Sequence, residues 1–196
     1  MTNPPGVLAR DGDLLIRGMR DDPADYALLA RWLTDERVLE FYHGRDNPYP
    51  YERVVAKYGP RTRGEDPEGV VACLIVHRGR ETGYMQHYPA RAEAYDLEDA
   101  EGTHAIDMFI GEPERWDGGL GSRTLSALAG YLFERLGARR VIIDPHLDNA
   151  RAIRAYEKAG FRKVKVLRAH EIHEGALRDS WLMVRGQPSR PLGHDG

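Results

Sequence analysis

A glycine-rich turn is the first feature of the sequence with chemical potential. Gly118, Gly119 and Gly121 fall within the stretch 112–122, between a run of β-formers and an amphipathic helical pattern. Glycine lets the backbone approach a ligand closely, and the first N–H groups of a helix lack intrahelical partners. With the helix dipole, these groups form an anion site that suits a pyrophosphate. A tight strand-to-helix turn without any ligand explains the same glycines equally well.

Other well-defined catalytic motifs are absent from the sequence. It contains no Gly-x4-Gly-Lys-Ser/Thr, no Gly-x-Gly-x-x-Gly and no Gly-x-Ser-x-Gly, which argues against a P-loop, a Rossmann site and a nucleophile elbow. His170 and His173 do not form a helical His-Glu-x-x-His pair, and in a strand they would face opposite sides of the sheet. We interpret them as surface or inter-strand histidines and predict no metal site. Cys73, the single cysteine, lies in an apolar run and is interpreted as a core residue.

Two aspartates lie beside apolar runs that read as strands. Asp107 lies within the run 104–110, and a carboxylate among apolar residues needs a partner or a chemical role. Asp144 follows the apolar run 141–143 and precedes Pro145. It is a candidate for holding a substrate ammonium group, and an ordinary turn residue is the competing interpretation.

Acidic residues are concentrated in one short segment of the chain. These residues are Glu93, Asp96, Glu98, Asp99 and Glu101. A solvated loop is the plain interpretation, and a wall that attracts a cationic substrate is the alternative. The net charge of -3 and the pI near 6.2 argue against nucleic acid as the main partner, since phosphate binding requires a basic surface.

The composition is that of a globular protein of 196 residues, 41% hydrophobic and 30% charged. No stretch approaches the roughly 20 apolar residues that a membrane span needs, and the N-terminus lacks an apolar signal core. The expectation is therefore a cytoplasmic protein without a membrane partner. We expect one domain over residues 1–186 and a flexible tail over 187–196.

The order of the patterns predicts an α/β fold with a mixed sheet flanked by helices. Strands are predicted at 14–17, 70–77, 82–87, 104–110, 141–143, 163–173 and 181–185. Helices are predicted from residue 22, at 122–136 and at 149–159. Residues 42–69 read as a long, partly irregular excursion with a short helix at 50–58, and the run 104–110 reads as a central, buried strand.

A second motif identifies a family. Residues 149–161 read Asn-x-x-Ala-x-x-x-Tyr-Glu-Lys-Ala-Gly-Phe, which resembles the C-terminal signature of GNAT acetyltransferases. The stretch 116–122 is similar to the family's pyrophosphate loop, Arg/Gln-x-x-Gly-x-Gly/Ala, with Trp116 where Arg or Gln is usual and Arg115 one position earlier. Within the family, the sequence resembles the aminoglycoside 6′-N-acetyltransferases, most strongly after residue 104. The resemblance implies a GNAT fold with a V-shaped cofactor cleft.

The resemblance also implies the reaction and its participants. It implies that acetyl-CoA is the cosubstrate, that Asp107 is the base for the amine and that Tyr156 is the acid for the leaving thiolate. A half-buried aromatic on an amphipathic helix is the plain alternative for Tyr156. The residues expected to bind the cosubstrate are Phe109, Ile110, Arg115, Gly118, Gly119, Leu120, Gly121, Ser122, Asn149, Arg154 and Tyr156. Among them, a backbone N–H near Phe109 or Ile110 would stabilise the oxyanion.

A polycationic small molecule is the substrate class that the resemblance and the acidic residues favour. The residues expected to contact it are Tyr42, Glu93, Tyr95, Asp96, Asp107, Asp144 and Asp179. The first hypothesis is a resistance enzyme that acetylates the 6′-amine, or the 2′-amine, of an aminoglycoside. The alternatives are an acyltransferase of another small amine, such as a siderophore lysine, and a non-catalytic acetyl-CoA sensor. The sequence leaves open whether the protein is a monomer or a homodimer.

Overall fold

The computed structural model describes residues 6–187, in which a single sheet of eight strands carries five helices. The strands are β1 (Val7–Asp11), β2 (Leu14–Gly18), β3 (Val71–His77), β4 (Arg80–Pro89), β5 (Thr103–Ile110), β6 (Arg140–Ile143), β7 (Arg162–His173) and β8 (Ala176–Gly186). The helices are α1 (Pro23–Trp32), α2 (Glu36–Leu39), α3 (Tyr51–Thr62), α4 (Leu120–Arg135) and α5 (Ala150–Lys158). All of the tail predicted at 187–196 except Gln187 lies outside the described residues.

The sheet opens between its two central parallel strands. The strand order is β1-β2-β3-β4-β5-β6-β8-β7, and among the pairs within residues 6–187 only β5–β6 is parallel. That pairing joins Thr103–Ala105 to Arg140–Ile142 and then ends. Over Ile106–Ile110, β5 pairs with β4 alone among the strands that the structure describes. The splayed strands form a V-shaped cleft, which confirms the predicted mixed sheet flanked by helices.

Strand β5 is covered on both faces, as its apolar pattern predicted. Ile106 belongs to the core cluster that α4 and α5 complete on one face of the sheet. Phe109 belongs to the opposite cluster, where it contacts Trp32 edge-on and stacks on Tyr84. Because side chains alternate along a strand, Asp107 lies on the same face as Phe109. The catalytic candidate is thus held by a strand anchored in two cores.

Local capping rules explain several helix boundaries. Asp22 accepts hydrogen bonds from the first amides of α1, and Pro23 occupies its first helical position, as predicted. The side chain of Asn149 accepts a bond from Ala152 N and caps α5. Helix α4 begins at Leu120, two residues before the predicted start, because Gly119 adopts a φ of +78° and serves as its N-cap.

Two elements were not predicted, and the excursion is more regular than predicted. Strand β1 is a short edge strand whose partner is β2, and α2 is a single turn of helix. Neither carries a periodic pattern long enough to be recognised in the sequence. The excursion contains the twelve-residue α3, in which Gly59 and Pro60 interrupt the helical signal. Among the described helices, none is long and apolar enough to cross a membrane.

A buried histidine on β4 lacks hydrogen-bond partners. His87 is only 4% exposed, and neither of its ring nitrogens has a partner within residues 6–187. The rings of His104 and Tyr131 lie about 6 Å from its own, at 5.9 and 6.2 Å between centroids. Burial is the main cause that lowers the pKa of His87 to about 4.

We expect this histidine to make the fold sensitive to mild acid. Between pH 6.5 and 4 the unfolded chain protonates His87 while the native state does not, so stability falls as the pH falls. The loss by pH 5 should be about 2 kcal/mol, or roughly 4–8 °C in Tm. Thermal unfolding of the wild type and of His87→Leu at pH 7.5 and pH 5 measures it. A His87→Leu variant with the full wild-type loss would contradict the assignment.

Candidate active site

A single cavity of about 510 Å³ occupies the opening between β5 and β6. Most of the residues that the sequence predicted for the site line it. These are Tyr42, Tyr95, Asp107, Phe109, Ile110, Arg115, Gly119, Leu120, Gly121, Ser122, Asp144, Asn149, Arg154 and Tyr156. Four predicted residues, Glu93, Asp96, Gly118 and Asp179, are not part of its lining.

The residues outside the lining are held elsewhere or face solvent. Lys165 donates to Asp96 Oδ2 at 2.6 Å, and the Asp96 side chain is 89% exposed. Asp179 accepts bonds from Arg168 and from the backbone N–H of Ala169, so it closes a bulge in β7. Glu93 and Gly118 are exposed. The acidic segment therefore contributes Tyr95 to the cavity and directs its carboxylates away from it.

At one end of the cavity, the start of α4 forms a candidate anion site. Gly119 turns the chain with its positive φ, and no side chain of the described residues caps the helix there. Ser122 Oγ donates to Gly119 O at 2.9 Å, which fixes the turn. The N–H groups of the first helical turn lack intrahelical acceptors and carry the positive end of the helix dipole. They are available to a phosphate group.

Basic side chains reinforce this anion site. The cavity lining here includes Arg115, Arg151, Arg154 and Lys158. The guanidinium of Arg151 lies 3.6 Å from the centroid of the Trp116 ring, and Trp116 Nε1 donates to Ile110 O at 2.8 Å. Trp116 therefore supports a cation where the family motif usually has Arg or Gln. Charge and amide groups together fit a diphosphate ligand such as that of coenzyme A.

The free edge of β5 joins the two ends of the cavity. Past Ala105, alternate amide and carbonyl groups of β5 point away from β4, towards the position that β6 leaves vacant. An extended ligand with amide groups can pair with such an edge as an added strand. The edge runs from Asp107 towards the turn that precedes α4, so it fits the pantetheine arm of coenzyme A.

At the other end of the cavity, Asp107 is held in a hydrogen-bond network. Gln86, its partner directly across β4–β5, donates Nε2 to Asp107 Oδ2 at 2.5 Å. The Gln86 oxygen in turn accepts from Arg61 Nη1 at 2.7 Å and from Tyr84 OH at 2.8 Å. These two donors fix the orientation of the amide, so its N–H faces the carboxylate. Tyr88 OH makes a longer contact of 3.4 Å with Asp107 Oδ1.

The environment of Asp107 raises the pKa of its carboxyl group towards neutrality. Desolvation is the largest cause that raises the pKa of Asp107, to about 6, and the charge of Asp144 adds to it. The hydrogen bonds from Gln86 and Tyr88 oppose that rise because they stabilise the carboxylate. A carboxylate with this raised pKa accepts a proton from an ammonium group more readily than an ordinary aspartate, and it still loses that proton to water near neutral pH.

Asp144 is paired with His170, a histidine that belongs to no motif recognised in the sequence. His170 Nε2 lies 2.8 Å from Asp144 Oδ2, and both residues line the cavity. Burial raises the pKa of Asp144, while the hydrogen bond with His170 opposes the shift. The same bond raises the pKa of His170. His170, interpreted from the sequence as a surface or inter-strand histidine, is partly buried on β7 and bonds Asp144 just after β6.

Tyr156 reaches the cavity from α5. The ring is 9% exposed and packs in the cluster with Phe161, 6.5 Å between ring centroids. Burial is the largest cause that raises the pKa of Tyr156, and the charges of Asp144 and Asp107 act in the same direction. The hydroxyl therefore keeps its proton at neutral pH and can donate it to an anion that forms in the cavity.

Several cavity residues carry no recognisable signal in the sequence. Arg61, Gln86 and Glu171 line the cavity, yet none belongs to a motif. Period-2 alternation places Tyr84, Gln86 and Tyr88 on one face of β4, as sequence reading can foresee. That this face meets Asp107 depends on the β4–β5 register, which the sequence does not reveal.

Comparisons with known proteins agree with this geometry. The acetyltransferase (GNAT) domain family matches residues 21–169. Aminoglycoside N(6′)-acetyltransferase type 1 of Klebsiella pneumoniae is 30% identical over 142 residues, which cover 71% of this chain and 70% of that protein. The same figures hold for the Serratia marcescens protein of that name.

Solved structures of acetyltransferases are similar to this chain in their fold. Aminoglycoside acetyltransferase AAC(6′)-Ib in complex with coenzyme A superposes with a TM-score of 0.72 at 25% identity, over 89% of this chain and 95% of that chain. AAC(6′)-Ib with coenzyme A and kanamycin gives the same values. Spermidine N-acetyltransferase from Vibrio cholerae, at 14% identity and a TM-score of 0.72 over 90% and 97% of the two chains, shares the fold. The chain belongs to the GNAT family of acetyltransferases.

Proposed function

We propose that this protein transfers the acetyl group of acetyl-CoA to a primary amine of an aminoglycoside, with the 6′-amine as the first choice and the 2′-amine as the second. The observation that carries the proposal is one cavity in which the open start of α4 and the carboxylates of Asp107 and Asp144 face a common space. The similarity to aminoglycoside N(6′)-acetyltransferases supports the substrate class. Drug resistance and a cytoplasmic location stay predictions.

The charge distribution in the cavity supports one end that binds the acetyl donor (the donor end) and another that binds the amine substrate (the amine end). The amides of α4 and the cations around Trp116 would hold the phosphates of the donor. At the amine end, Asp107 and Asp144 offer two carboxylates at separate points of the lining. An aminoglycoside carries several ammonium groups, so one carboxylate can bind an amine while the other activates the reacting one.

Two side chains account for the proton movements of the transfer. The donor supplies an activated acetyl thioester. Asp107 takes a proton from the substrate ammonium group and leaves a neutral amine, which forms the C–N bond. A free N–H of β5 stabilises the negative charge on the carbonyl oxygen. Tyr156 donates a proton to the sulfur as the C–S bond breaks. The attacking nitrogen loses its extra proton to solvent as the amide forms, and Tyr156 regains a proton from solvent.

Acetyl transfer can be measured directly. Purified protein is mixed with acetyl-CoA and a panel of kanamycin, ribostamycin, spermidine and a hydroxylysine derivative, and thiol release is followed. We expect turnover with the aminoglycosides, and NMR of the product to locate the acetyl group on the 6′-nitrogen. Turnover confined to the hydroxylysine derivative would favour a siderophore-type role. Tight coenzyme A binding without turnover on any amine would favour the sensor.

Replacing Asp144 at the amine end of the cavity and replacing Asp96 in the acidic segment should have different effects on KM. Replacing Asp144 with asparagine removes a charged partner of a substrate ammonium group, so KM for kanamycin should rise by about 10- to 100-fold. Asp96→Asn is the matched control, because its side chain lies outside the cavity and is 89% exposed. Its KM should stay at the wild-type value. Equal effects of the two substitutions would reject the assignment of the amine end.

A further inference from the structure

A second group of side chains with chemical potential lies where the end of β7 meets the loop after β6. It consists of His146, Glu171 and His173, and one ligand atom from each lies within 4.8 Å of the others. The two imidazole rings meet edge-on with centroids 4.6 Å apart, and His146 Nε2 contacts Glu171 Oε1. The transfer mechanism above uses none of the three.

The sheet brings these residues together from positions far apart in the sequence. His146 forms an isolated bridge with Ser180 of β8, which places it beside β7. Between Leu167 and Glu171 the β7–β8 register shifts, and Ala169 adopts a φ of +48° in the bulge. After the bulge, Glu171 and His173 follow at a spacing of two and therefore share a face of β7.

The hydrogen bond of His173 prepares the ring for a metal ion. His173 Nε2 lies 2.8 Å from the backbone oxygen of Glu40. Because a carbonyl can only accept, Nε2 carries the hydrogen and Nδ1 carries the lone pair. Histidines that bind metals commonly donate their other N–H to a carbonyl or carboxylate in this way. Both imidazoles are buried, at 7% exposure for His146 and 4% for His173, which favours a fixed geometry.

We propose that His146, Glu171 and His173 bind one zinc ion at the edge of the cavity. Two imidazoles and one carboxylate form a ligand set that zinc accepts, with the fourth position left to water. Tetrahedral ligands at about 2.1 Å from zinc stand about 3.4 Å from each other. Side-chain rotations that move the atoms by about 1 Å would bring all three to that spacing, with the contacting atoms of His146 and Glu171 moving apart. The sequence analysis foresaw no metal because it considered the pair His170 and His173, whereas this set uses His146.

The ion would join three parts of the chain. It would tie β7 to the loop after β6, and through the His173–Glu40 bond to the segment that continues into Phe41 and Tyr42. Those two residues line the cavity. Zinc binding should therefore stabilise the fold, since a ligand that binds only the native state raises the melting temperature. The proposal does not depend on the acetyl-transfer reaction.

Metal uptake tests the site without any assay of activity. The metal-free protein is dialysed against zinc sulfate, and the bound zinc is counted; we expect one ion per chain. At zinc concentrations 100-fold above the dissociation constant, Tm should rise by roughly 5–10 °C. X-ray absorption at the zinc edge should show nitrogen and oxygen ligands at about 2.0–2.2 Å.

Variants separate this site from adventitious binding. Glu171→Gln keeps the size of a side chain that is 44% exposed, so it should fold normally while zinc affinity falls at least about tenfold. His173→Gln should also abolish the rise in Tm. His170→Gln is the matched control, because its ring lies on the same strand but bonds Asp144, and it should bind zinc like the wild type. No zinc uptake, or uptake that Glu171→Gln and His173→Gln leave unchanged, would overturn the proposal.

Discussion

Replacing Asp107 with asparagine should lower kcat for acetyl transfer by about 10²- to 10⁴-fold, the usual contribution of a positioned general base. Asparagine keeps the size of the side chain and a carbonyl oxygen that accepts the bond from Gln86 Nε2, but it cannot take a proton. Steady-state kinetics at pH 7 with kanamycin and acetyl-CoA measures the loss. Because the substitution removes a buried charge, the Tm should not fall.

The pH profile distinguishes loss of the base from loss of structure. In the wild type, kcat should rise with pH through about 6, since the Asp107 carboxylate must lose its proton before it can accept one. In the asparagine variant this limb should disappear, and activity should rise only as the substrate amine itself deprotonates. Removing the charge of Asp144 lowers the pKa of Asp107, so Asp144→Asn should shift the limb to lower pH. An Asp107→Asn enzyme within threefold of the wild type would remove this residue from the mechanism.

The second large effect is expected at Tyr156. Tyr156→Phe keeps the ring that packs beside Phe161 but removes the hydroxyl that we propose as proton donor for the leaving sulfur. Because a thiolate with a pKa near 8.5 leaves without full protonation, the decrease in kcat should be about 10- to 100-fold, smaller than for the base. The KM for acetyl-CoA should change little, which stopped-flow and steady-state kinetics can separate.

Tyr131→Phe provides a matched control for the loss of a phenol. Its half-buried ring packs against the same core cluster, but the residue does not line the cavity. The kcat of this variant should equal that of the wild type. If both variants lost activity to the same extent, the effect of Tyr156→Phe would reflect packing and not proton donation.

Local signals predicted the main elements of the fold correctly. Asp22 and Pro23 marked the start of α1. The glycines before α4 marked the start of that helix, and the glycine after α5 marked the end of α5. These signals are readable because caps and positive-φ positions depend on neighbouring residues alone. The run at 104–110 predicted a buried central strand because its apolar residues occupy both faces. Strand β1 and helix α2 were missed because contacts with the rest of the chain, not their own patterns, stabilise them.

Composition was least accurate in predicting which residues contact the substrate. The acidic segment at 93–101 was expected to present its carboxylates to a cation, yet Asp96 pairs with Lys165 outside the cavity and only Tyr95 lines it. A charge run shows that a segment is solvated, but not which way it faces. The cavity instead gains Gln86, His170 and Glu171, whose positions depend on strand pairing.

The sequence by itself determined the family and the glycine turn before α4, because these are encoded in short motifs of fixed spacing. The resemblance to that family then pointed to Asp107 and Tyr156 as candidates. Only the tertiary structure decided how Asp107 is oriented by Gln86, how Asp144 pairs with His170, and how His146 comes to lie beside Glu171. These contacts join residues from 21 to 26 positions apart through strand register, the β7 bulge and the opening of the sheet. Such long-range pairings arise from the packing of the whole chain, so the spacing of neighbouring residues does not predict them.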